Sequence, residues 1–104
     1  MVIEQLKVKV PPNMREKYIQ VDAEIWTTAL SRYPGFLSKE VWINPNDNTE
    51  IVMVIKWETR KQWKAIPEAE LAAIDAQFTK VLGTAYPLTE SSEFQVRKFP
   101  SVKP

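Results

Sequence analysis

A chain of 104 residues, 44% hydrophobic and 26% charged, has the composition of one ordinary globular domain over 1–104, able to bury about 65% of its extended-chain surface. Fourteen basic residues against thirteen acidic ones leave a formal charge of +1, which offers no general attraction for nucleic acid or anionic lipid. The chain has no cysteine and no histidine, so disulfides, thiolate or imidazole metal sites, cysteine nucleophiles and the Ser-His-Asp triad are excluded, and its two glycines are too few for a phosphate-cradling loop or a dinucleotide fingerprint.

Residues 2–10 alternate, with Val2, Leu6, Val8 and Val10 on one side and Ile3, Gln5, Lys7 and Lys9 on the other. That period predicts a half-buried strand. Pro11-Pro12 ends it, because neither residue donates to a ladder, and Asn13 suits a helix N-cap. From Met14 the period becomes helical: Met14, Tyr18, Val21, Ile25 and Ala29 form one stripe, and Ile19, Trp26, Leu30 and Tyr33 widen it. The resulting apolar arc of roughly 200° exceeds the ~100° needed to lie on a sheet, so this helix is expected to cover a second surface, such as a pocket or another subunit. Asp22 falls inside the arc.

Tyr33-Pro34-Gly35-Phe36 stops the helix in a type II turn, where glycine takes positive φ at low cost. Residues 36–43 and 50–58 read as a hairpin around the turn-rich 44–48 segment. In the first strand Leu37, Lys39, Val41 and Ile43 share a face opposite Phe36, Ser38, Glu40 and Trp42. In the second, Ile51, Met53, Ile55 and Trp57 form a wholly apolar face. Thr59 with Gln62 has capping-box spacing and opens a short helix carrying Trp63. Pro67 fits the first turn of a longer helix, with Leu71, Ile74, Phe78 and Val81 as its buried stripe and Gly83 as its stop. A last strand is expected over 93–99, with a frayed tail bracketed by Pro100 and Pro104.

The order predicts an α+β, ferredoxin-like β-α-β-β-α-β fold with a four-stranded antiparallel sheet. Both helices cover one face, and every strand but the last carries apolar residues on both. A symmetric copy of the chain is the simplest cover for the open face. The longest strongly apolar run, 51–55, falls far short of the ~20 residues of a membrane span, and the N-terminus is not that of a secretory signal. A cytoplasmic protein is the expectation.

The segment Tyr33-Pro34-Gly35-Phe36-Leu37, the hairpin, and then Trp57-Glu58-Thr59-Arg60-Lys61-Gln62-Trp63 together resemble the antibiotic-biosynthesis-monooxygenase-like family of dimeric α/β barrels. That family shows Pro-Gly-Phe after its first helix and a Trp-x-Ser/Thr segment, with an apolar residue six positions after the tryptophan, where the third strand enters the second helical region. The chain is also similar to a short cyanobacterial subgroup of that family. The resemblance implies a homodimer of facing sheets and a ligand cavity in each subunit between sheet and helices. Some relatives oxidise aromatic polyketides with dioxygen and no cofactor, some degrade haem, and many have no known activity. Many members place a histidine nine residues after the motif tryptophan, where this chain has Ile66. The haem-degrading members also ligate iron with a histidine, and because this chain has none anywhere, histidine-ligated haem degradation is excluded.

Four tryptophans in 104 residues can line a cavity for a planar ligand or simply pack a core and a dimer interface. Trp26, Trp57 and Trp63 are the candidate ligand-binding residues, the last two because they flank the strand-to-helix junction. The candidate catalytic groups are Asp22, a carboxylate in an apolar arc, and Tyr18. Each has a structural alternative: Asp22 paired with Arg15 or with a residue of a partner, and Tyr18 a packed ring. No metal site and no cofactor is expected. Lys56, Arg60, Lys61 and Lys64 form a small basic cluster, but the central strands lack the stacking aromatics of RNA-recognition modules, so the cluster reads as a solvated helix face. Two functions remain open. One is a small-molecule binder with an aromatic cavity, resembling the cofactor-independent monooxygenases. The other is a non-catalytic dimeric structural or protein-interaction module.

Overall fold

The computed structural model describes residues 1–98. Strand β1 (Val2–Lys9) leads through a 3₁₀ turn (Pro12–Met14) into α1 (Arg15–Asp22), a π-helical turn (Ala23–Thr27) and α2 (Thr28–Leu30). The hairpin β2 (Phe36–Asn44) and β3 (Asp47–Trp57) follows, then α3 (Arg60–Lys64), α4 (Glu68–Leu82) and β4 (Leu88–Gln95). The strands form one antiparallel sheet in the order β2-β3-β1-β4. This is the ferredoxin-like arrangement the element order predicts: each helical connection crosses over one strand before the chain rejoins the sheet.

Register decides what each face carries. Toward the helices, cross-strand rows run Val2–Trp57–Phe36, Glu4–Ile55–Lys39, Leu6–Met53–Val41 and Val8–Ile51–Ile43. The core forms where Tyr18, Val21, Leu30, Phe78 and Leu82 of the helices meet Val2, Val8, Ile51, Met53, Ile55 and Trp57. The opposite face carries Ile3, Gln5 and Lys7 beside Lys56, Val54 and Val52, with Ser38, Glu40 and Trp42 on one flank and Phe94, Ser92 and Glu90 on the other. No helix covers it. Trp42 and Phe94 are 47% and 54% exposed.

Local signals place the turns well. Gly35 and Gly83 have φ of +90° and +92°, the left-handed region that glycine enters without a Cβ penalty. The Thr59 Oγ1 accepts from the Gln62 backbone N–H at 3.1 Å, capping α3 as predicted. Arg60 binds Glu93 through two hydrogen bonds of 2.9 and 3.2 Å, tying α3 to β4.

Several expectations are corrected. The long first helix is interrupted: residues 23–27 widen into a π turn, where Thr28 Oγ1 donates to the Ala23 carbonyl at 3.2 Å. A hydroxyl bonded back to the preceding turn is a known way to distort a helix locally. Asn13 is not its N-cap, because the 3₁₀ turn of Pro12–Met14 intervenes. The 44–48 loop shrinks to a two-residue turn, because Asn44 Oδ1 accepts from the Asn46 N–H at 2.9 Å and the strands extend around it.

A bulge at Leu37 moves Phe36 onto the helix side, opposite Trp57, and leaves Leu37 45% exposed. One extra residue inverts the parity on its N-terminal side. In α4 the buried position is Leu82 rather than Val81, which is 50% exposed. The last strand starts at Leu88, not 93, drawn in by pairing with β1. Its Leu88 and Phe94 lie on opposite faces, so this strand too is apolar on both. Phe99 and the 100–104 tail lie outside the described residues. No helix among the described residues is long and apolar enough to cross a membrane.

Candidate functional site

Between the sheet and the helices lies a cavity of about 660 Å³, within the range of small-molecule pockets. Strand β1 contributes Glu4 and Leu6, β2 contributes Lys39, and β3 contributes Met53, Ile55 and Trp57. The first helical region adds Tyr18, Asp22, Trp26 and Leu30, and α3 adds Trp63. Asp75 and Thr79 of α4 and the 85–88 segment also border the cavity. All five residues singled out from the sequence, Tyr18, Asp22, Trp26, Trp57 and Trp63, border this space. Trp42 does not. It stands on the open sheet face with its Nε1 donating to Glu40 at 2.9 Å.

The three bordering tryptophans differ. Trp57 is 0% exposed and belongs to the core. Its ring meets Phe36 edge-to-face at 5.7 Å, and its Nε1 donates to Glu4 Oε1 at 3.3 Å. Trp26 and Trp63 are half-buried, and the Lys64 ammonium sits 4.0 Å over the Trp63 ring centroid. Asp22 and Trp26, four residues apart, lie on one side of the helical segment, and both border the cavity.

The polar groups are deep. Asp22 is 2% exposed and accepts from Lys39 Nζ at 2.6 Å, both side chains being 3% exposed. The partner foreseen for Asp22 was Arg15 or a second subunit. It is instead Lys39 of the same chain, and Arg15 lies 3.6 Å from Glu16. Burial pushes the Asp22 carboxyl above its ordinary value, and the Lys39 charge and hydrogen bond oppose that rise. The Tyr18 hydroxyl is also pushed up, by burial first and then by the negative charges of Asp22 and Asp75. Its ring packs edge-to-face on Phe78 at 5.2 Å.

Two ionisable groups at the cavity are not among the sequence candidates: Glu4, half-buried, and Lys39, whose side chain is 3% exposed. Glu4 lies on the Val2–Leu6–Val8 face by simple parity, and Lys39 lies on the Val41 row. A charged residue interrupting an otherwise apolar row was the available signal for both. Burial raises the Glu4 carboxyl, while the Trp57 hydrogen bond and the Lys64 and Lys39 charges pull it down. Ile66, where the resemblance places a histidine in many relatives, borders the cavity as an apolar wall, 7% exposed. Among the described residues no cluster of acidic side chains could hold a metal ion.

The sequence matches the antibiotic biosynthesis monooxygenase family over residues 1–70. No curated protein matches the chain by sequence. Among solved structures, the monooxygenase from the gene ActVA-Orf6 of Streptomyces coelicolor, in complex with nanaomycin D, is similar with a TM-score of 0.71 at 17% identity, over 99% of this chain and 91% of that one. A candidate antibiotic biosynthesis monooxygenase from Deinococcus radiodurans has a TM-score of 0.67 at 18% identity, over 100% of both chains. A variant of SnoaB, a cofactor-independent oxygenase from Streptomyces nogalater, has a TM-score of 0.64 at 15% identity, over 94% of this chain and 92% of that one. At such identities the structural likeness is one of fold.

Proposed function

This chain belongs to the antibiotic biosynthesis monooxygenase family, and on that premise we propose that it binds a small planar aromatic molecule in the cavity and oxidises it with dioxygen, without a metal or organic cofactor. The observation that carries the reading is the cavity itself. About 660 Å³ is bordered by Trp26, Trp57 and Trp63 together with Asp22, Lys39, Glu4 and Tyr18. Apolar walls with a few convergent polar groups, among them Asp22, Glu4 and Tyr18 with pKa values raised by burial, are the marks of a ligand site. In the overall reaction a phenolic substrate loses its O–H hydrogen and one ring C–H hydrogen and gains one oxygen atom from O₂. The second oxygen atom and the two hydrogens leave as water, so no external reductant is needed.

The groups divide by protonation. Tyr18, its pKa raised by burial, keeps its proton and serves as a donor. Asp22 is engaged by Lys39 and positions that ammonium. Ile66 supplies no proton transfer, so chemistry that relatives run through a histidine at that place falls to other groups here. Dimerisation through the open sheet face is part of the proposal. On that face Trp42 and Phe94 are exposed and Ile3 is half-buried, around the already buried Val52 and Val54, and a second copy would cover the exposed rings. The full burial of Trp57 favours a structural role for that one ring, so ligand contact is assigned chiefly to Trp26 and Trp63.

The test titrates the protein with naphthalene- and anthracene-sized aromatic compounds, reading tryptophan fluorescence, and follows dioxygen consumption with hydroxylated members of the series. Saturable quenching that weakens in Trp26→Ala and Trp63→Ala supports the site. No response from any compound sinks it. Light scattering at micromolar concentration tests the dimer, and a monomer mass would refute that part.

A further inference from the structure

We propose that Lys39 is an oxyanion anchor: the cavity takes planar aromatic ligands that carry an anionic or strongly accepting oxygen, and Lys39 holds that oxygen. The inference deepens the ligand-binding reading above and rests on it.

An ammonium group has three N–H donors. At Lys39 one of them is bonded to Asp22 Oδ2 at 2.6 Å, and no other hydrogen bond from this group is present among the described residues. The side chain is 3% exposed, so water does not readily serve the remaining donors. A buried donor left unmade carries its full desolvation cost, larger still when the donor is charged. Packing alone gives no reason for the charge. A buried ion pair is often no more stabilising than apolar residues of the same volume, and the neighbours of Lys39 on its side of β2 are Phe36 and Val41, apolar residues that could have been continued.

What sets Lys39 apart is its placement. It borders the cavity, in the row Glu4–Ile55–Lys39, beside the apolar floor of Met53 and Ile55. Asp22 fixes the ammonium from the helix side. The other donors have no protein partner among the described residues, and Lys39 borders the space where a ligand would lie. An oxygen bearing full or partial negative charge is the group that completes them. In an aromatic ligand that oxygen is a phenolate, a conjugated carbonyl or a carboxylate. Glu4, two strands away in the same row, disfavours a second negative group at the other end. The ligand is thus expected to carry its charge at one edge and to be apolar elsewhere.

The experiment compares three naphthalene probes of similar size on the full chain: 4-nitro-1-naphtholate, 2-naphthoate and 2-methylnaphthalene. Binding is read by tryptophan fluorescence, and the ionisation of bound 4-nitro-1-naphthol by its visible absorbance. The wild type is expected to bind at least one oxyanion about tenfold to a hundredfold more tightly than 2-methylnaphthalene, as a charged hydrogen bond provides. The naphtholate and naphthoate arms tell a phenolate preference from a carboxylate one. The bound nitronaphthol should titrate at lower pH than the free compound. The double variant D22N/K39M removes both charges together, so no lone buried charge remains. It should lose the oxyanion preference and keep its affinity for 2-methylnaphthalene, while K39R should retain part of the preference. Equal binding of all three probes by the wild type, an unshifted or raised probe titration, or an undiminished preference in D22N/K39M would overturn the anchor while leaving the aromatic cavity intact. Failure of every probe to bind would overturn both.

Discussion

Replacing Trp57 by alanine tests whether that ring is core or removable cavity lining. The side chain is 0% exposed, stacks edge-to-face on Phe36 at 5.7 Å and donates to Glu4 at 3.3 Å. Truncating a buried tryptophan costs about 3–5 kcal/mol, because the apolar contacts are lost and the void is only partly refilled. Here the void opens into an existing cavity, which removes any close wall that could collapse inward. Loss of the Nε1 donor also leaves the half-buried Glu4 carboxylate without that partner, so the effect should fall at or above the middle of the range. A domain of this size has about 5–15 kcal/mol in total, so the variant should lose a large share of it. Its Tm should drop by at least about 12 °C, at 4–8 °C per kcal/mol. Urea unfolding followed by far-UV circular dichroism at fixed protomer concentration measures this directly. Trp57→Phe keeps an aromatic ring opposite Phe36 and should lose only about 1–3 kcal/mol. A loss below about 1.5 kcal/mol for Trp57→Ala would refute the core assignment.

Asp22→Ala leaves the Lys39 ammonium buried without its anion and should cost about 3–5 kcal/mol in urea unfolding, whereas the charge-free pair D22N/K39M should lie much closer to the wild type. Glu4→Gln should stabilise the fold at pH 7–8. The folded Glu4 pKa is raised by burial, so its contribution is full below the unfolded value of 4.5 and is lost as pH rises through the folded value. The variant's advantage should therefore vanish near pH 4, and a variant less stable than wild type at pH 8 would contradict the sign. Gly35→Ala should cost more than Gly83→Ala in thermal unfolding. Both positions have positive φ, but an added Cβ at Gly35 would lie 2.5 Å from Gln62 Oε1 and 2.7 Å from Gln62 Cβ, while Gly83 faces open space. About 1–2 kcal/mol is expected at Gly83 from the backbone alone, and equal losses at the two sites would count against the close approach.

What the sequence by itself determined is what short-range physics controls. The alternation in β1 and β3, the turns at Gly35 and Gly83, the Thr59 cap and the β-α-β-β-α-β order all follow from neighbours a few residues apart. The five candidate residues could be placed on inward faces because strand and helix periods fix side-chain direction locally. Tertiary structure alone decided the pairings. Glu4 meets Trp57 across 53 residues of sequence, and Asp22 finds Lys39 rather than Arg15 because β2 lies beneath the first helical region. The Leu37 bulge reverses the face of Phe36, and the π turn at Ala23–Thr27 interrupts a continuous stripe. Both shift the register by a small local change whose energy is repaid only by packing partners elsewhere in the fold. A buried charge is the same kind of problem: its polarity says it should be outside, and only the position of its counter-charge explains why it is in.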